Sequence, residues 1–388
     1  MWPQRSSRRS PSLATAVASD PPSGLSVSSV LSALPVCTLQ PMQIESYDVV
    51  IVGAGPGGLS CARALAGSGQ RVLVLEKSES LGKKICAGEL TAKVLPGETF
   101  DRGRPWTEIH VGNDHTCHAL KLPRPFAWTA GRHGIESHLM KGCDAEIRFG
   151  EPVQKITAEF VETRTGRYHY KKLVGADGAN SIVRRHLALP RESRDRIVGW
   201  AYHFVVDQPA TEFHIYWLPR TFPAGYGYMM SRSRGQTMVG IAFEGSRFDR
   251  EVAARAGAWV AQRFGLDVSK LRHEAAKGNA DYRGWRFGNV FLVGEAAGLL
   301  NPLSTEGIYY AIRSGEAVGK FLRGEAAGEN LMRHLAQVHK RQVRIFKLVT
   351  NKKLPFCWMV DWVMRDPRKG LRRWLLQWTL YWLMDRSG

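Results

Sequence analysis

No run of 18 or more apolar residues occurs in this 388-residue chain, so no helix that spans a bilayer is expected. Cysteine is scarce, with six residues, and no two of them stand as C-x-x-C. That removes the commonest zinc and redox spacings, and no metal site is expected. Cys37, Cys61, Cys86, Cys117, Cys143 and Cys357 therefore read mostly as small buried side chains in a reducing compartment. No internal repeat is visible. Acids are few against bases, 35 Asp and Glu to 54 Lys and Arg, for a formal net charge of +19. What remains, 44% hydrophobic and 23% charged, is the composition of a globular chain long enough for two domains sharing a core.

The charge is uneven. Residues 340–388 carry twelve Lys and Arg against three Asp, and five of the chain's twelve Trp: Trp358, Trp362, Trp374, Trp378 and Trp382. Base mixed with Trp and Leu suits an anionic membrane surface better than a nucleic acid duplex, and no nucleic-acid partner is expected. A terminal helix packed on the protein with a solvated basic face is the equal alternative. Residues 1–41 are rich in Ser, Pro and Ala and hold one acid, Asp20, beside Arg5, Arg8 and Arg9. They read as a disordered extension ahead of Met42, with an organelle-targeting segment as the alternative. The expected location is cytoplasmic, peripheral on a membrane.

From Tyr47 the pattern is strand, tight turn, helix, strand. Asp48-Val-Val-Ile-Val52 and Arg71-Val-Leu-Val-Leu75 are short continuous apolar runs, as buried parallel strands are. Between them lies Gly53-Ala-Gly55-Pro-Gly57-Gly58, followed by Ala62. In this context Gly53 permits the turn and Gly55 lets backbone approach a pyrophosphate. Gly58 lets helix and strand pack closely, and the helix N-terminus offers N–H groups to phosphates. Glu76 ends the second strand, where a carboxylate accepts ribose hydroxyls. The pattern predicts dinucleotide binding. Residues 101–128 read as irregular, 129–142 as helical and 153–174 as a strand meander. Residues 198–243 read as several strands and 250–264 as helical, and Val290-Phe-Leu-Val293 is another buried strand.

Two further motifs follow: Leu173-Val-Gly-Ala-Asp177-Gly178, continuing to Arg184, and Leu292-Val-Gly294-Glu295-Ala-Ala-Gly298, continuing to Glu306-Gly307-Ile308. With the first, they resemble the FAD-dependent hydroxylases and reductases. The resemblance implies that Asp177 and Gly178 contact the dinucleotide. It implies that Gly294 and Glu295 reach the ribityl and pyrophosphate region, Glu295 standing where Asp is usual. The helix from Gly307 and Ile308 would point its positive end at the flavin pyrimidine. Arg132, which opens a helix, fits the group's flavin-proximal arginine. Gly298 lies outside the tight turn, and its replacement by Ala is expected to be milder than Gly55→Val.

Glu76-Lys-Ser-Glu-Ser-Leu-Gly82-Lys-Lys-Ile-Cys86-Ala87-Gly88-Glu-Leu90 resembles the geranylgeranyl reductase family, in which a Cys-x-Gly lies above the flavin. The family's substrate-side pattern, Y-x-W-x-F-P and then G-x-G, is kept in spacing only. Tyr226-Gly-Tyr228-Met-Met230-Ser231 precedes Gly240-Ile-Ala242. The resemblance covers residues 47 to about 320 and implies FAD as cofactor, bound also by Ala87 and Gly88. It implies Cys86 in catalysis and Tyr226 and Tyr228 at a hydrophobic isoprenoid substrate. No second glycine fingerprint follows, so NAD(P)H docks transiently or a protein donor reduces the flavin. The expected architecture is α/β: a three-motif Rossmann-type FAD domain (42–100, 129–186, 281–325), a β-rich substrate domain (101–128, 187–280) and a basic aromatic, helical C-terminal tail (326–388). The expected reaction saturates carbon–carbon double bonds of a polyprenyl lipid. A flavin monooxygenase shares all three motifs and is the alternative. A halogenase would need W-x-W-x-I-P, which Ile215-Tyr-Trp-Leu-Pro219 only loosely echoes. A flavin-bearing membrane adaptor without catalysis is the third reading.

Overall fold

The computed structural model describes residues 43–189, 198–223, 225–232, 235–245, 248–350, 356–367 and 370–381. The expectations for residues 1–41 and for Trp382 lie outside the described residues.

The apolar run at Asp48 to Val52 is the buried half of the strand Gln43–Val52, the middle of a parallel sheet. Val72–Leu75 pairs parallel on one side of it and Gly166–Gly175 on the other. Val290–Leu292 then joins Gly166–Gly175, and Glu146–Arg148 joins Val72–Leu75, both in parallel. Val72–Leu75 is buried at every position, as a strand covered on both faces must be. Three of these strands are followed by the three glycine motifs, so the motifs meet along the carboxyl edge of adjacent strands, where open α/β sheets bind ligands. The helix Pro56–Leu65 begins at the first motif and packs on Ile308–Leu322, which follows the third.

A second sheet runs in the order Arg272–Asn279, Val198–Val206, Gln236–Glu244, Gly225–Arg232, His214–Trp217, Glu108–Gly112, Cys117–Lys121. It is antiparallel except where His214–Trp217 meets Glu108–Gly112. The helix Arg250–Phe264 covers one face, packing Ala256 and Val260 on Tyr202, Phe204, Val239 and Ile241. A small third sheet orders Glu89–Thr91, Ala127–Thr129 and Arg104–Trp106.

Two expectations change. Residues 101–128 are not irregular: Ile109 and Val111 alternate onto a buried face, and the segment supplies strands to both smaller sheets. The flavin domain does not stop near 325. The helix Ala326–Val349 buries Met332 and Leu335 in the flavin-domain core, and Tyr310 donates to Gln342 Oε1 at 2.7 Å. Only the helices Phe356–Met364 and Gly370–Tyr381 lie beyond it among the described residues. No helix of the described residues is long and apolar enough to cross a membrane.

Candidate flavin and substrate site

At the first motif the backbone packs without room for side chains. A Cβ on Gly58 would stand 1.9 Å from Gly53 O, so the helix sits directly against the turn. Gly53 faces the second motif, its Cβ position 2.6 Å from Ala176 O. A Cβ on Gly57 would stand 3.1 Å from Val293 Cγ2, at the end of the third motif's strand. Gly55 is different: its Cβ position meets only Arg132 Nη2, at 3.5 Å. Glu76 accepts the Ala54 N–H at 2.8 Å and the Ser78 N–H at 2.9 Å, which fastens the loop to the next strand. Each oxygen keeps a second lone pair.

Arg132 is the second residue of the helix Gly131–Met140 and is buried. Its Nη2 is paired with Glu136 Oε1, and Glu136 in turn accepts Gly82 N–H at 2.6 Å. Arg132 Nε is buried with no partner. Asp177 Oδ2 accepts Ile182 N–H at 2.6 Å and Val183 N–H at 3.3 Å, while Oδ1 is buried and unpartnered. Burial pushes the Asp177 carboxyl up, against these hydrogen bonds. A bare donor, a bare acceptor and the space over Gly55 fit a ligand with both phosphates and ribose hydroxyls. These residues fit FAD.

The third motif lies beside them. Glu295 pairs with Lys84 at 2.6 Å, and Lys84 Nζ is also 3.8 Å from the Cβ position of Gly178. Lys84 thus links the second and third motifs; it was not singled out from the sequence, although two adjacent lysines in the Gly82–Cys86 loop were the available signal. Gly294 N–H donates to Ser314 Oγ at 2.8 Å. Gly307 caps the helix that starts at Ile308, with its Cβ position 3.5 Å from Glu295 Oε1. Arg184 spans from the second motif to the third, donating to Asp281 Oδ2 at 3.0 Å and Ala296 O at 3.2 Å.

Cys86 is half-buried and accepts the Gly88 N–H at 3.3 Å. Gly88 has φ +75°, and the Gly131 backbone lies 2.4 Å from its Cβ position. This contact docks the Cys86 loop on the start of the Arg132 helix. The next side chain but one, Glu89, is held by the Thr129 hydroxyl at 2.6 Å, and burial pushes its carboxyl up to about 8.

Ala87 packs against the buried cluster of Tyr228, Met238 and Ala242, as do Tyr226 and Met230, on the face of the second sheet opposite the helix Arg250–Phe264. The predicted Tyr226 and Tyr228 are therefore brought to the Cys86 loop. The Tyr226 hydroxyl is bound to Ser304 O at 3.1 Å and Thr305 Oγ1 at 2.5 Å, next to the third motif. The Tyr228 hydroxyl meets His203 Nδ1 at 3.2 Å, and His203 Nε2 meets Glu274 at 3.2 Å. His203 and Glu274 were not singled out from the sequence, because only strand register brings them to Tyr228.

One further donor cluster lies on the other face. His110, Cys117 and His214 bring one ligating atom each within 4.8 Å of one another. Their atoms are already engaged: His214 Nε2 with Glu212 at 2.7 Å, and His214 Nδ1 and Cys117 Sγ with the Tyr216 hydroxyl at 2.9 and 3.1 Å. The two imidazoles stack at 4.4 Å rather than converge. A cleft of about 440 Å³ beside His110 and Glu212 includes none of the glycine-motif residues.

The profile described as "FAD binding domain" matches residues 137–351, and that of an "NAD(P)-binding Rossmann-like domain" matches residues 51–115. The digeranylgeranylglycerophospholipid reductase of Thermoplasma acidophilum is 23% identical, over 88% of this chain and 89% of its own length. The 3-(3-hydroxy-phenyl)propionate/3-hydroxycinnamic acid hydroxylase of Paraburkholderia xenovorans is 27% identical over 74% of this chain and 51% of its own length. Among solved structures, a geranylgeranyl bacteriochlorophyll reductase-like protein from Thermoplasma acidophilum superposes with a TM-score of 0.68 at 16% identity, covering 89% of this chain and 98% of that one.

Proposed function

Because the chain belongs to the FAD-binding domain family and is an FAD-dependent oxidoreductase of the reductase and hydroxylase group, we propose that it saturates carbon–carbon double bonds of a geranylgeranyl-type lipid. The observation that carries this reading is the apolar face under the Cys86 loop. Ile215 and Met230 belong both to the cluster around Tyr228 and to the cluster that Val360, Met364 and Leu376 of the tail complete. This continuous apolar packing from the Cys86 loop to the tail supports a long hydrocarbon over a small polar ring as the substrate. The three motifs would hold FAD, which, once reduced by a nicotinamide or a protein donor, would supply hydride chemistry to one alkene carbon. The tyrosine faces can stabilise positive charge developing on the tertiary carbon, and Cys86 guides the alkene.

The test is anaerobic mixing of the reduced protein with a geranylgeranyl lipid, followed by flavin absorbance and product mass. The expected result is flavin reoxidation without oxygen and a gain of two hydrogens per double bond. Cys86→Ser is expected to keep FAD but lose turnover or stop at a partly reduced product. Reoxidation that needs oxygen and yields a hydroxylated product would establish the monooxygenase reading, which the hydroxylase relative supports.

A lipid substrate needs a route from its bilayer, and we assign that contact to the tail. Val360, Met364 and Leu376 are buried on the sheet, while Trp358, Trp362, Leu371, Trp374 and Trp378 are exposed, Trp358 by 78%. The guanidinium of Arg372 lies 4.9 Å over Trp362, and Arg373 follows it. One face of these helices packs on the protein, as a packed terminal helix would, and the other presents Trp and base. The exposed side fits an anionic lipid interface. The protein should co-sediment with anionic vesicles and be released by salt. Trp358→Ala with Trp374→Ala should weaken partitioning by about tenfold or more. Equal binding by the double variant would assign the face to something other than a membrane.

A further inference from the structure

Strand register lays four residues across the second sheet in one straight rung. Glu274 on the edge strand pairs with His203, His203 with Gly240, and Gly240 with Tyr228. Direct partners share a face of the sheet, so the three side chains stand in line. Gly240 supplies the gap. His203 and Tyr228 sit on strands that are not neighbours, yet the imidazole reaches the hydroxyl at 3.2 Å because nothing stands between them. A Cβ on Gly240 would fall 2.5 Å from His203 Cβ. The outer end of the line opens to water, with Glu274 partly exposed on the edge strand. The inner end is Tyr228, fully enclosed against Ala87 of the Cys86 loop.

We propose that Glu274, His203 and Tyr228 form a proton wire that carries a proton from solvent to the alkene carbon opposite the one receiving hydride. The proposal rests on the reductase reading and supplies the half of the addition that a hydride donor does not. The alkene gains two electrons with the hydride from the reduced flavin, which is thereby oxidised. It gains the proton from the Tyr228 hydroxyl, and the new C–H bond forms as the phenolic O–H breaks. Tyr228 regains its proton from His203 Nδ1; rotation of the imidazole then turns its bare nitrogen to the Glu274 end, where it takes up a proton from water.

The hydrogen bonds set the direction of flow. An ionised Glu274 only accepts, so His203 Nε2 carries hydrogen and Nδ1 accepts from Tyr228 at rest. A second proton on His203 makes both nitrogens donors. Nδ1–H then points at the Tyr228 oxygen, and the phenolic hydrogen is freed towards the substrate. The groups facing His203 are Glu274 from the edge strand and Tyr228 from the inner strand. Arg232 lies behind Glu274 at 2.9 Å, with Arg272 at 4.0 Å from the same carboxylate. Burial holds His203 below the ordinary imidazole range, at about 4, against the pull of Glu274. It is therefore singly protonated at neutral pH, and the supply of the loaded form increases as pH falls towards that value.

The experiment is stopped-flow reoxidation of dithionite-reduced, FAD-loaded protein by a geranylgeranyl lipid, without oxygen, across pH and in D₂O. Wild type should reoxidise faster as pH falls and show a solvent isotope effect. Tyr228→Phe, which removes one hydroxyl from an otherwise unchanged ring, should lose on the order of a hundredfold in this step. His203→Gln should lose a similar factor and flatten the pH profile, a readout that packing alone would not move. Glu274→Gln should displace the profile while keeping the fold. If wild type reoxidises with the lipid while Tyr228→Phe and His203→Gln keep its rate and pH profile, the wire is overturned and the reductase reading stands. If wild type is not reoxidised by the lipid, the reading fails and the wire falls with it.

Discussion

Gly298→Ala is expected to yield little soluble protein, with a melting temperature far below wild type in whatever folds. Gly298 caps the short helix of the third motif at φ +83°, a backbone conformation that costs an L side chain roughly 1–2 kcal/mol. The space is closed as well. Its Cβ would fall 2.2 Å from Asp281 O and 2.6 Å from Tyr282 N. These are backbone atoms, and Asp281 cannot retreat easily. Its carboxylate is held by Arg184 at 3.0 Å and Arg283 at 2.7 Å. Overpacking against an immobile neighbour adds about 1–3 kcal/mol. The two together remove a large share of a domain's typical stability of about 5–15 kcal/mol. Thermal denaturation and soluble yield measure this, and a Tm equal to wild type would mean that the backbone around Asp281 yields. The sequence places Gly298 outside the tight turn and predicts an effect milder than that of Gly55→Val; crowding by the Asp281 backbone reverses that order for stability.

That correction shows where the sequence is informative and where it is not. The three motifs were legible because each is local: a buried apolar strand, a glycine where backbone must approach, an acid at the strand end. The parallel sheet then follows, since such strands hide both faces. Cys86, Tyr226 and Tyr228 were placed by resemblance, and the structure brings them to one place through Ala87. Contacts between distant segments left no local trace. Gly298 against Asp281, Lys84 on Glu295, and Tyr310 with Gln342 join residues whose spacing in the chain says nothing of their meeting. His203 is the clearest case. Read alone, a histidine in Trp200-Ala-Tyr-His-Phe204 is one more residue in an aromatic strand. It acquires a role only when register sets Glu274 on one side and an empty Gly240 on the other. The tail divided for a similar reason. Its composition held both a packing face and an exposed Trp face, and only the fold says that Leu376 turns in while Trp374 and Trp378 turn out.

Gly55→Val is expected to do the opposite of Gly298→Ala: a folded protein that binds no flavin. The backbone at Gly55 is extended, with φ −76° and ψ −179°, which valine adopts readily. Within the protein its Cβ would meet only Arg132 Nη2, at an ordinary van der Waals distance of 3.5 Å. The isopropyl group would instead fill the space over the helix N-terminus, between the bare Arg132 Nε and the first-turn N–H groups. A pyrophosphate has to lie there to reach them. Flavin occupancy, read from absorbance against protein, should fall from about one per chain to near zero. The melting temperature should drop only by what the cofactor contributes: a ligand at a hundred times its Kd adds about 2.7 kcal/mol. The variant should therefore melt close to wild type stripped of flavin, not below it. Gly58→Val is the matched contrast. Its side chain would meet Gly53 O at 1.9 Å, so that variant should fail to fold rather than fail to bind. Full flavin occupancy in Gly55→Val would show that the pyrophosphate lies elsewhere, and would detach the first glycine motif from the cofactor site.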